Sequence, residues 1–287
     1  MSEESLWPAP AKLNLFLHIT GRRPDGFHDL QTVFQLIDLC DVLSFETTSD
    51  GSITRELLAS DYPIADVDPL QDLVVRSARL LQQRTGCPLG ARIGLSKRIP
   101  MGGGLGGGSS DAATVLRTLN RVWGLDLSVD DLASLGLELG ADVPFFVRGE
   151  TAWGEGRGER LFPVQTPSAT FLIVDPGVRV STAAVFADPE LTRDTPALKM
   201  RDFVAGAGRN DCEAVVRRRY PAVAEALDAL SRLAPARLTG TGGCVFTSFG
   251  DRTEAEAAST RLDPRWRHFI ATGVSKVTDL DWGVAKW

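Results

Sequence analysis

The sequence predicts an α+β fold in two domains, and three observations carry that reading. Segments with the two-residue apolar alternation of strands come together at the start of the chain instead of singly between helices. Helical spacing then dominates a long central stretch, and a second group of strands and helices follows a turn-rich segment at 149–168, which puts a domain boundary near residue 160. Grouped elements of this kind make α+β layers, not a strict βαβ alternation. With 287 residues, 43% hydrophobic and 24% charged, the chain has the composition of a globular protein with a sizeable core.

In chain order, "AKLNLFLHI" alternates Leu13, Leu15, Leu17 and Ile19 with Lys12, Asn14, Phe16 and His18, the period of a half-buried strand. "GRRPDGFHD" is a turn, and "LQTVFQLIDLCDVLSFE" resumes strand patterning, so the opening is expected to be an antiparallel hairpin or meander. "DPLQDLVVRSARLLQQRTG" predicts a helix stopped by Gly86, and "ARIGLSKRIP" another alternating strand. After the glycine loop, Ala112, Val115, Leu116, Leu119, Val122 and Trp123 form a helix face. Ser109, Ser110 and Asp111 are its expected capping residues, and Gly124 its end. "SVDDLASLGLELG" starts close to a capping box, and "ADVPFFVRG" enters a short helix or turn through Asp142 and Pro144. Beyond the boundary come a strand "ATFLIVDPG", helices in "NDCEAVVRRRYPAVAEALDALSRL", the glycine turn "LTGTGGCVF", and a final helix and strand.

Composition excludes several functions. A net charge of -6 and a pI near 5.2 repel polyanions, and the basic run Arg217 to Tyr220 has no interleaved aromatics, so no nucleic-acid partner is expected. Cys40, Cys87, Cys212 and Cys244 show no CxxC spacing, and His18, His28 and His268 show no HExxH pairing, which leaves zinc and disulfides without support. The acidic N-terminus is unlike a signal peptide, and no apolar run approaches the ~20 residues of a membrane span. A cytoplasmic protein with no membrane partner is expected.

The segment "PMGGGLGGGSSDAATVLRTLN" puts six glycines into seven positions at the start of a helix. Glycines let successive amide groups turn inward, and the helix N-terminus adds partial positive charge, so the loop suits phosphates. GxxxxGK[ST] is missing, which rules out a Walker loop. Gly102, Gly104 and Gly107 satisfy GxGxxG, but an amphipathic strand carrying Lys97 and Arg98 precedes them where a dinucleotide fold has a buried one. A ligand-free connector has no need of the backbone entropy six glycines cost.

"PAPAKLNLFLHITGRRPDGFHDLQTVFQ", "PMGGGLGGGSSDAATVLRTLN", "LGADVPFFVRG" and "LTGTGGCVF", in this order and spacing, resemble the GHMP kinase superfamily. The "PAKLNL" and "DGFHDLQT" segments favour its branch acting on 4-diphosphocytidyl-2-C-methyl-D-erythritol over the homoserine, mevalonate and galactose branches. The resemblance implies a two-domain α/β sandwich with the active site in the interdomain cleft. Residues 1–160 would form the ATP-binding half and 161–287 the second domain, its last residues packing back on the first. It implies ATP-dependent phosphorylation of the 2-hydroxyl of that substrate, on the non-mevalonate route to isoprenoid precursors, with Mg2+ carried by ATP and its protein ligands unassigned. A monomer or weak homodimer is expected.

In the family pattern Asp142 accepts the hydroxyl proton, and Lys12 keeps that carboxylate ionised and stabilises developing charge. From residue type alone, a snorkelling strand lysine and an N-cap aspartate are the commoner readings. The resemblance assigns ATP to Lys97, Pro100, Met101, Gly102, Gly103, Gly104, Leu105, Gly106, Gly107, Gly108, Ser109 and Ser110. It assigns the substrate to Asn14, Phe27, His28, Thr182 and Phe186, with Phe27 and Phe186 as stacking faces for cytosine. Three positions depart from the pattern: Phe27 stands where many relatives have Tyr, Asp72 where they often have Asn near adenine, and Gly243 where Ala is usual. The turn with Gly240, Gly242 and Gly243 either shapes the diphosphate pocket or is a tight strand connection. Another GHMP kinase such as a homoserine kinase, or a non-catalytic nucleotide-binding protein, is the alternative; the presence of both Lys12 and Asp142 counts against a silent site.

Overall fold

A computed structural model describes residues 6–62, 68, 71–204 and 206–280. A long hairpin opens the fold. β1 (Leu6–Arg22) and β2 (His28–Thr48) run antiparallel, from Leu6 opposite Ser44 to Arg22 opposite His28, as the alternating pattern predicted. The expected half-burial does not hold. Lys12, Asn14, Phe16 and His18 are as deeply buried as Leu13, Leu17 and Ile19, because both faces of β1 are covered by later parts of the chain. Alternation here separates two chemistries, not core from solvent.

β3 (Ile53–Ser60), a strand the sequence reading did not assign, lies at the sheet edge parallel to β4 (Gly90–Lys97), with α1 (Leu73–Thr85) between them in sequence. Of the helix predicted over 68–86, residues 69–70 lie outside the described residues. Asp72 caps α1 by accepting from the amides of Val74 and Val75, and Gly86 ends it in the left-handed region, φ 68°. Then come α2 (Gly107–Val122), α3 (Val129–Leu139) and α4 (Val143–Arg148). The capping box of α3 forms between Ser128 and Asp131 as expected. α2 differs from its prediction: it starts at Gly107, not at Ser109 to Asp111, and its N-cap, Gly106, offers no side-chain bond. The first amides of α2 therefore have no side-chain cap, which leaves them available to a ligand.

The turn-rich segment around residue 160 holds a hairpin, β5 (Ala152–Gly156) and β6 (Arg160–Pro163), attached to β2. The remaining elements are β7 (Thr170–Asp175), α5 (Thr182–Phe186), α6 (Met200–Val204), α7 (Glu213–Arg219), α8 (Pro221–Ser231), β8 (Ala236–Leu238), β9 (Val245–Phe249), α9 (Arg252–Ser259), β10 (Arg267–Val274) and a 3-10 turn at Val277–Asp279. The expected α+β class holds. One mixed sheet runs in the order β3-β4-β2-β10-β7-β9-β8. β10 joins its halves, pairing with β7 along Arg267 to Thr272 and with β2 at Gly273 and Val274.

Three apolar clusters fix the site. One packs α1 to α4 on β2 and β4, and a second packs α7 and α8 on β7 to β9. A third lies between them and contains Ala11 and Leu13 of β1, Ile99, Leu105 of the glycine loop, Phe171, Ile173, Cys244 and Phe246. Leu105 is fully buried, so this one side chain ties an otherwise side-chain-free loop to both halves, at a gain of roughly 1.5–3 kcal/mol. The four cysteines are free thiols, and among the described residues no helix is long and apolar enough to cross a membrane.

Candidate active site

The glycine loop and β1 are stitched together by the loop's carbonyls. Gly103 O accepts from the Cys244 amide, Leu105 O from the Lys12 amide, and Gly104 O from Lys12 Nζ at 2.8 Å. With its carbonyls turned into the protein, the loop keeps its amide edge for the cavity in front of it. Gly104 and Gly106 sit at φ 77° and 74°, the left-handed region this winding requires. A side chain on Gly106 would meet the Phe146 ring at 2.8 Å.

Lys12 comes to the loop from the middle of β1. Its ammonium touches Asn14 Oδ1 at 2.5 Å and lies 3.7 Å from Asp142 Oδ2 and 5.6 Å from the centre of the Phe34 ring. Burial pushes its pKa down, and Asp142 pushes it back up. Asp142 is the N-cap residue of α4 by position, yet its side chain makes no capping bond there. Its carboxylate remains about one-third exposed to the cavity and faces Lys12, so the capping explanation of this aspartate fails. Asn14 is oriented by Thr32, and its own amide donates to Thr239 Oγ1 at 3.0 Å.

All of this opens into one cleft of about 620 Å³, a volume suited to small-molecule ligands. The cleft brings together Lys12, Asn14, Lys97, Asp142, Thr182, Phe186 and the loop from Pro100 to Ser109. Beyond the loop its wall is Arg55, Gln71, Asp72, Leu73 and Leu95, partly apolar; Leu30, Thr32, Arg157, Gly240 and Thr241 also line it. Ser110 is buried behind the lining, its hydroxyl without a hydrogen-bond partner. Asp72 is fully engaged, by the α1 amides and by Arg55 Nε at 2.6 Å. Lys97 lines the cleft, but its ammonium is bound to Asp41 and Asp111.

Phe27 and His28 are not lining residues but reach the cleft through others. Phe27 is half exposed at the hairpin turn, with the Arg157 guanidinium 4.6 Å from its ring centre. His28 stacks on Phe186, centroids 5.1 Å apart, and its Nε2 accepts from Arg193 Nε. Burial and the neighbouring Arg193 and Arg22 hold the ring neutral, so its proton sits on Nδ1 as a donor. Phe186 and His28 thus form one stacked unit, apart from Phe27, which packs under Arg157. Thr182 shares a 2.7 Å hydrogen bond with Thr241. The sequence reading missed Arg157, Thr32, Thr239, Thr241 and Arg55. Arg157, a cation between glycines, and Thr239 and Thr241, flanking Gly240, could have been found from the sequence; Thr32 and Arg55 carried no such signal.

A carboxylate and a buried ammonium face an uncapped helix start across one cleft, with no Walker lysine in the loop before it. The family model for the GHMP kinases N terminal domain matches residues 72–150, and that for the GHMP kinases C terminal region matches 196–267. The chain belongs to the GHMP kinase family, within its 4-diphosphocytidyl-2-C-methyl-D-erythritol kinases. A protein of that name from Alkalilimnicola ehrlichii is 59% identical over 275 residues, covering 96% of this chain and 93% of the relative. One from Nitrosococcus oceani is 53% identical, covering 96% and 97%. A crystal structure of 4-(cytidine 5'-diphospho)-2C-methyl-D-erythritol kinase, 33% identical, superposes with a TM-score of 0.80 over 93% of this chain and 98% of that one.

Proposed function

We propose that the protein transfers the γ-phosphoryl group of ATP to the 2-hydroxyl of 4-diphosphocytidyl-2-C-methyl-D-erythritol, giving the 2-phosphate and ADP. The observation that carries the reading is the convergence of Lys12, Asp142 and the uncapped start of α2 on one cleft. The loop amides and the α2 N-terminus hold the phosphates. Asp142 accepts the proton of the attacking hydroxyl, while Lys12, fixed by Asn14 and Gly104 O, stabilises the charge that grows between donor and acceptor. ATP would supply the phosphoryl group, and Mg2+ bound with it would neutralise its phosphates. Asp142, about one-third exposed to the cleft, is a carboxylate that could approach Mg2+ carried by the phosphates.

The apolar wall at Leu73 and Leu95 suits the adenine end, and the Thr182, Thr241 and Phe186 part suits the cytidine diphosphate. Location in the cytoplasm, a monomeric or weakly dimeric state, absence of nucleic-acid and membrane partners, and a division of domains near residue 160 belong to the same proposal. Purified protein incubated with ATP and either this substrate or homoserine, with ADP release followed, tests it. Turnover with the cytidine substrate alone is expected; turnover with homoserine alone would replace the reading.

Phe27→Ala is expected to raise KM for the substrate roughly 5- to 150-fold, the worth of one base–aromatic stack, with little change in KM for ATP. Equal rises in both constants would take Phe27 out of the cytidine site.

A further inference from the structure

Three charged side chains beside the glycine loop, Asp41 and the cleft-lining Lys97 and Asp111, have no role in the transfer described above. Lys97, at the end of β4, donates to Asp111 Oδ2 at 2.8 Å and to Asp41 Oδ2, and all three residues are buried. Asp41 Oδ1 accepts from the amides of Arg98 and Ile99 at 2.6 and 2.9 Å, the two residues that lead into Pro100 and the loop. Its Oδ2 stands directly behind the first turn of α2, where a Cβ on Gly107 would lie 3.3 Å away. Asp111 belongs to α2 itself. One cluster therefore grips the loop where it leaves β4 and where it enters the helix.

The charge of this cluster is unbalanced. Two ionised carboxylates and one ammonium carry one net negative charge, next to the amides expected to hold phosphate. Asp111 Oδ1 is buried without a hydrogen-bond partner, so that side of the carboxylate has no donor to offset its charge. The groups that face Asp111 are Lys97 from β4 and Asp41 from β2; beside Asp41 lie the Cys40 thiol, which burial keeps protonated, and Arg98. Burial, and Asp41 after it, push Asp111 up to about 7 against the pull of Lys97, while Lys97, although burial opposes it, is held charged by the two carboxylates.

We propose that Asp111, acting through Lys97 and Asp41, positions the glycine loop and balances its charge: when nucleotide phosphate occupies the loop, Asp111 Oδ1 takes up a proton from solvent. The cluster then passes from one net negative charge to none, and the phosphate no longer faces a buried like charge. This rests on the nucleotide half of the function proposed above.

The sign follows from linkage. The folded-state pKa of Asp111 is raised from 3.8 to about 7, so the stability linked to its proton is fully present below the lower value and is lost as pH rises through the higher. Bound anion raises that pKa further, so proton uptake on binding falls just above pH 7. Calorimetric titration of the wild-type protein with ADP at a pH of about 8, in buffers of different ionisation enthalpy, reads it directly, because ADP has already shed its own phosphate protons there. Net uptake is expected in the wild type and none in Asp111→Asn. The affinity of that variant relative to wild type should rise by about tenfold across the titration, the equivalent of one pKa unit. No uptake by the wild type, or equal uptake by both proteins, would overturn the proposal. If Asp111→Asn does not fold, the wild-type profile decides alone: an uptake maximum between pH ~7 and ~9 supports the coupling and a flat profile removes it. ADP binding without phosphorylation of the methylerythritol substrate would sink the proposed function while leaving this result standing.

Discussion

Asp142→Asn is expected to lower kcat by roughly 10²- to 10⁴-fold, the usual worth of a general base, while nucleotide affinity stays nearly unchanged. The substitution keeps shape and removes two things: the oxygen that takes the hydroxyl proton and the charge that sustains the Lys12 ammonium. Burial already pulls the Lys12 pKa down, and Asp142 is its chief counterweight. The variant should therefore lose its residual activity at lower pH than wild type loses its own, as Lys12 gives up its proton earlier. A partner variant, Lys12→Met, should not compound the defect, since two groups that work as a unit are not additive. Steady-state ADP release across pH, beside an equilibrium nucleotide titration, measures all of this. A kcat within a few-fold of wild type would remove Asp142 from proton transfer.

The local chemistry of this site was legible, and its long-range contacts were not. The glycine loop reads as a candidate phosphate cradle from the sequence because backbone freedom, helix polarity and the missing Walker lysine are all local properties. Strand alternation gave β1 and β2, and capping gave α1 and α3, for the same reason. What alternation hid was that both faces of β1 are covered, since the cover comes from Thr239 and its neighbours, 225 positions after Asn14. Asp111 read as a helix cap because Asp follows two serines at a helix start. Only the folded chain brings Lys97 and Asp41 to it and turns it inward. The start of α2 was misjudged similarly: a glycine N-cap has no side-chain signature, and its open amides matter only with a cleft in front of them. β3 went unassigned because an edge strand with exposed Glu56, Leu57 and Leu58 shows no clean alternation.

Gly104→Ala is expected to reduce kcat/KM by about 100-fold or more, the cost of misplacing a reacting group by about 1 Å. Two independent obstacles stand in its way. The backbone there is left-handed at φ 77°, which costs a residue with a Cβ roughly 1–2 kcal/mol. An added Cβ would also lie 2.3 Å from Thr239 O and 3.2 Å from Gly242 O, both backbone atoms that no rotamer change can move. Either the loop or the turn after β8 must shift. The loop carries Gly104 O, which accepts from Lys12 Nζ, and the turn carries Thr239, whose hydroxyl accepts from the Asn14 amide. Whichever yields, Lys12 loses its alignment with Asp142, so kcat should fall more than nucleotide affinity. Differential scanning calorimetry should show a lower Tm as well, because Leu105 would be drawn from the core that it fills. Wild-type kinetics in a folded Gly104→Ala protein would mean that contact between the loop and the β8 turn does not set the position of the transferred phosphate.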